Sequence, residues 1–124
     1  MSIVFLLGRV LYAAIFISSG YNHLSKVKSL SGYAKSMGVP AAELLTAISG
    51  IMIIVGGLLI LFNIMIFYGA LLIFLFLVPT TLMMHAFWKI TDPGTRQTQQ
   101  IMFMKNSSMA GAALIIMYFA YGIR

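Results

Sequence analysis

The sequence predicts an all-α integral membrane protein: one membrane domain spanning residues 1–124, a four-helix bundle with a short interfacial helix between helices 1 and 2. Three observations carry this reading. Of the 124 residues, 61% are hydrophobic and only 8% are charged, against roughly 25% charged in a soluble domain. A water-soluble fold has nowhere to put that much apolar surface. The apolar residues fall into four runs, at 3–21, 41–62, 64–85 and 101–123, each close to the roughly 20 residues a helix needs to cross hydrocarbon. Such runs must coil, because hydrocarbon offers backbone groups no hydrogen-bond partner.

The first run, Ile3 to Tyr21, competes with a signal peptide. Arg9 lies inside it and no A-x-A-like site follows, so it reads as a retained span. The second run opens just after Pro40, where proline is tolerated at a helix start. An unbroken helix from Ala41 to His85 would be about 65 Å long, twice a hydrocarbon core of roughly 30 Å. The chain must therefore turn near Phe62–Asn63, before the third run. The fourth run is Ile101 to Ile123.

Two polar segments remain. In Asn22 to Val39, the residues Val27, Leu30, Ala34 and Met37 recur at helical spacing among lysines and serines. That pattern suits a short helix lying in the interface, stopped by Gly38 and Pro40. In Ala86 to Gln100, Asp92 before Pro93 reads as a helix cap with proline in the first turn. Four spans put both segments on one face, with Lys26, Lys28, Lys35, Lys89, Arg96 and Lys105. The other face holds Arg9, Arg124 and the amino terminus. The positive-inside bias then makes the loops at 22–39 and 86–100 cytoplasmic and leaves both termini outside.

Helices in lipid associate through close packing and buried polar contacts, so small residues mark contact faces. In the second span Ser49 and Gly56 are seven apart, as are Gly50 and Gly57; the fourth offers Ser107-x-x-x-Gly111. Arg9, Ala13, Phe16, Gly20 and His23 follow steps of four and three and share one face of the first span. Tyr68, Leu71, Leu75, Val78, Leu82 and His85 do the same in the third, where Pro79 removes the donor for the Leu75 carbonyl and should kink the helix.

Few residues carry chemistry. His23, Glu43, His85, Lys105 and Asn106 fall at corresponding depths near the cytoplasmic end, His23 and His85 closing their spans and the other three opening theirs. Together they would form a ligand site for a lipid headgroup, a quinone carbonyl or an anionic small molecule. Solvation of polar helix ends by the interface, with satisfaction of the bundle, is the commoner reason for such residues. Their spacing matches no metal motif, so no metal is expected. Arg9 sits too far from Glu43 and Asp92 to pair with either. The C-terminal carboxylate, a lipid phosphate, backbone carbonyls or an acid on another subunit are its open partners. Trp88 and Tyr21, with Tyr12, Tyr118 and Tyr121, fall mostly near span ends and suit an aromatic belt, with Trp88 in contact with lipid or a partner. The ten methionines suit packing. The absence of cysteine excludes thiol redox chemistry and thiolate metal sites for this chain. The net charge of +6 is scattered at span boundaries, which fits anionic lipid headgroups and not nucleic acid.

An ordered set of short segments resembles the DoxX-like family. It begins with Gly8-Arg9-Val10-Leu11 and runs on through Phe16 to His23, then Gly32 to Pro40, Ser49-Gly50 and Gly56-Gly57. His85-Ala86-Phe87-Trp88, Asp92-Pro93, Phe103-Met104-Lys105-Asn106 and Gly111 complete it. The resemblance implies a small four-helix protein of a bacterial or archaeal cytoplasmic membrane, in a family named for a subunit associated with a terminal quinol oxidase. Some members carry an acid within the second helix; here only Glu43, at its start, is available.

Two functions follow as expectations. The first is an accessory or scaffold subunit of a larger, respiratory or redox, membrane complex, with other membrane subunits or a homo-oligomer as partners. The second is a quinone- or lipid-binding protein using the cytoplasmic-end cluster. A transporter is less well supported, since four short helices need oligomerisation to enclose a path and no inverted repeat is present. No nucleophile–base motif, phosphate loop or metal signature points to independent catalysis.

Overall fold

The computed structural model describes residues 2–122. It contains α1 (Ile3–Ser25), α2 (Val27–Ser36), α3 (Ala42–Leu61), α4 (Ile66–Met84), a 3-10 turn at Phe87–Lys89, and α5 (Pro93–Gly122). The four long helices are each long and apolar enough to cross a membrane. The protein is thus an all-α, four-span membrane chain with the short helix where the sequence places it.

Local chemistry sets the element ends. The Ser2 hydroxyl accepts from the Val4 N–H and caps α1. At the end of α2, Gly38 adopts φ +89°, while Val39 N–H donates to Ala34 O and Gly38 N–H to Lys35 O. These are the paired bonds of a Schellman stop, which glycine makes without steric cost. Asn63 does the same after α3: with φ +57°, it lets Ile64 N–H reach Leu59 O and its own N–H reach Ile60 O. The chain therefore reverses at 62–65, where the length argument requires it. Met65 then starts α4 from φ +49°; a residue other than glycine is uncommon there, and with Asn63 it makes this a tight turn.

Glycines set the helix contacts. Gly50 and Gly57 both face α1. A Cβ on Gly50 would lie 2.8 Å from His23 Cβ and 3.0 Å from Gly20 O, and one on Gly57 2.8 Å from Ile17 Cγ1. Gly56 turns the other way, onto α4, where its Cβ would meet Gly69 O at 2.8 Å. Ser49 bonds to His23 on α1, so Ser49 and Gly56 serve different neighbours despite their spacing. The helices pack in the order α1, α3, α4, α5, and the Tyr12 hydroxyl, donating to Met109 O at 2.8 Å, joins α1 to α5. Phe16, Ile53, Ile60, Ala70, Ile73, Leu77, Ala113 and Met117 make the core. Tyr33 of α2 donates to Met84 O and holds the interfacial helix against the end of α4.

Three expectations change. The α4 stripe of Tyr68, Leu75, Val78 and Leu82 is exposed, and the buried stripe is Gly69, Ala70, Ile73, Leu77 and Thr81. A helix apolar all round has no polar face to orient it, so its small residues choose the contact side. Ser107 is exposed and a Cβ on Gly111 would meet nothing, so this pair packs no helix of the chain. Finally, α5 begins eight residues before Ile101. Asp92 accepts from the Thr95 N–H at 2.9 Å and Pro93 opens the helix, so the predicted cap extends the span through its polar prefix.

Candidate functional site

The predicted residues separate into three environments at the loop-side end of the bundle. The first is half-buried at His23 and Ser49 and buried at Thr46, Thr81 and Asn106. His23, in the last turn of α1, meets Ser49 Oγ through Nδ1 at 2.9 Å. Ser49 spends its own hydrogen on Thr46 O at 2.8 Å. Its oxygen therefore accepts from His23, which puts the imidazole proton on Nδ1 and leaves Nε2 as the acceptor in the neutral ring. Phe76 of α4 lies edge-on to that ring at 5.7 Å.

Thr46, Thr81 and Asn106 are buried polar residues. The antiparallel register of α4 and α5 is fixed by Phe67 against Tyr121, His85 against Gln99, and Phe87 against Phe103. It sets Thr81 level with Asn106. The approach of Gly56 to Gly69 likewise sets Thr46 near the level of Thr81. His23, Thr46, Ser49, Thr81 and Asn106 thus form a polar layer about one turn inside the loop-side end. The Thr81 Oγ1 is buried with no hydrogen-bond partner among the described residues.

The second environment is the α4–α5 corner. His85 Nδ1 lies 2.7 Å from Gln99 Oε1, which as an acceptor takes the ring N–H. Phe87, Trp88 and Phe103 meet in three edge-on contacts of 5.4–5.6 Å, and the Trp88 ring is half exposed. Because α5 starts at Pro93, Lys105 and Asn106 lie about three and a half turns into it and not in its first turns. Lys105 is exposed.

The third environment is a cleft of about 590 Å³ between α2 and the start of α3, lined by Lys28, Ser31, Gly32, Lys35, Glu43 and Leu44 among others. Glu43 belongs here. No hydrogen bond joins any two of His23, Glu43, His85, Lys105 and Asn106 among the described residues, and no three His, Asp or Glu gather at one point there. Helix register sets His23 and Asn106 at one level, and places the other three at its margins.

Arg9 lies at the opposite end, only 7% exposed. Its Nη1 donates to Leu61 O at 3.0 Å and its guanidinium sits 4.8 Å over the Phe5 ring. A backbone carbonyl is therefore one of its partners, at the C-terminal end of α3, where the helix dipole favours a cation. Phe5 also lines an apolar groove of about 800 Å³ with Asn63, Phe67, Ile116 and Phe119.

Sequence reading missed Thr46, Thr81 and Gln99. The available signal was a hydroxyl in an otherwise apolar span, which is costly there and demands a reason. Gln99 was hidden by the assumption that 86–100 is loop.

The DoxX family profile matches residues 4–86, which take in α1 to α4 almost whole. No curated protein and no solved structure matches the chain.

Proposed function

The chain belongs to the DoxX family, and from that premise we propose that this integral membrane protein is an accessory or scaffold subunit that acts by lateral docking against other membrane helices. A respiratory or redox assembly is the class of complex the family resemblance implies. The observation that carries the reading is the outer face of α5. Ser107 is exposed and its hydroxyl is turned back onto Phe103 O at 2.8 Å, and Gly111, one turn on, has open space where a Cβ would be. A small-xxx-small pair lets a second helix approach backbone to backbone, and in lipid such close packing drives association. The bundle does not use this pair for itself.

The chain has no cysteine, so Ser107→Cys provides a single thiol. In native membranes, a thiol-directed photo-crosslinker at position 107 should give discrete higher-mass adducts, and Gly111→Leu should abolish them. The same reagent at the exposed Leu75 position serves as the lipid-facing control. Identical labelling at both positions with no discrete adduct, together with elution as a lone small species in mild detergent, would remove the proposal.

A further inference from the structure

We propose that the cleft between α2 and the start of α3 holds the phosphoethanolamine headgroup of a membrane phospholipid. The location comes first. Helix α2 joins two spans, so it lies at the membrane face where headgroups reside. Lys28, Ser31, Gly32 and Lys35 follow steps of three, one and three, so they share one side of α2 and form one wall. The first turn of α3, with Glu43, forms the other.

The charge pattern identifies the ligand. Lys28, Lys35 and Glu43 are all exposed and all line this cleft. No ion pair joins them among the described residues, although they are opposite in sign and on facing walls. Two cations on one wall and one anion on the other complement a phosphodiester linked to a primary ammonium. The phosphate lies toward the lysines, and the ammonium donates to the Glu43 carboxylate. A glycerol headgroup offers the phosphate but no cation for Glu43. A choline headgroup has no N–H to donate. Val39, Pro40 and Leu44 give the cleft an apolar rim suited to the glycerol backbone.

The test uses the full chain in detergent, with phosphatidylethanolamine, phosphatidylglycerol and phosphatidylcholine added in equal amounts and bound lipid read by native mass spectrometry. Phosphatidylethanolamine should be retained above both others. Lys28→Gln with Lys35→Gln should lose phosphatidylethanolamine and phosphatidylglycerol alike. Glu43→Gln should lower phosphatidylethanolamine retention by up to about fivefold, the upper end for one exposed charge contact, and leave phosphatidylglycerol unchanged. Glu43→Asp should keep the preference. Unchanged elution and Trp88 emission report that the fold is intact in these surface variants. Equal retention of the three lipids, or a preference indifferent to Glu43→Gln, overturns the proposal. So does retention of soluble phosphoethanolamine in preference to phosphatidylethanolamine when the two are added at equal concentration, which would assign the cleft to a free phosphomonoester instead of a lipid.

Discussion

Arg9 lies inside an apolar span, and Leu61 O holds its guanidinium at the end of the neighbouring helix. Replacing it with methionine keeps the stem and removes the charged donor. Hydrogen bonds to charged groups contribute roughly 1.5–3 kcal/mol, so Arg9→Met should lower thermal stability in detergent by several degrees, measured by loss of monodisperse elution after heating. Thr81 is the opposite case. Its buried hydroxyl lacks a partner among the described residues, and valine has nearly the same shape. Relief of an unsatisfied buried group is worth about 1–3 kcal/mol, so Thr81→Val should raise the same melting temperature; a fall would show the hydroxyl to be bonded. Arg9 and His23 are legible in sequence because charge and imidazole stand out in an apolar run. Thr81 is not, because a threonine in such a run can face lipid, bond its own helix or face the core, and only packing decides.

Among the elements, α1 and α4 differ in how well their faces can be read. The α1 stripe of Arg9, Ala13, Phe16 and Gly20 is buried as its spacing predicts, because polar and small residues mark it. Helix α4 has no such contrast, and seven-residue spacing of large apolar residues selects its lipid side equally well. Helix α5 adds a test of its own start. The Thr95 N–H and hydroxyl both donate to the Asp92 carboxylate and hold its pKa below the usual value. Protonation removes this acceptor. The cap therefore contributes fully above the unfolded-chain pKa and is lost as pH falls through the lowered folded value. Amide protection at Thr95 to Thr98, taken relative to the intrinsic exchange rate at each pH, should hold at neutral pH and fall only in acid, whereas Asp92→Ala should lower it at every pH.

For the whole molecule, the fold class was readable because one requirement, closing backbone bonds in hydrocarbon, acts on every span alike. The site was less so, since its members come from four helices whose rotations and register are tertiary facts. Sidedness is the molecule-scale expectation still to be measured. The lysines of α2 and of the 86–100 connection gather on one face, which the positive-inside bias assigns to the cytoplasm. In intact cells, an impermeant maleimide should label Ser2→Cys and spare Ser29→Cys; the reverse pattern would invert the protein.

The reversal at Asn63 and Met65 leaves α3 and α4, of 20 and 19 residues, clamped glycine to glycine with no slack between them. Each is about 30 Å long, so this pair acts as a fixed gauge of hydrocarbon thickness. The eight-residue polar start of α5 can sink or rise, but the gauge cannot stretch. Thermal stability in bilayers of graded acyl length should therefore peak near a 30 Å core and decline on both sides, which would favour some of a cell's lipid environments over others without any receptor to direct the choice.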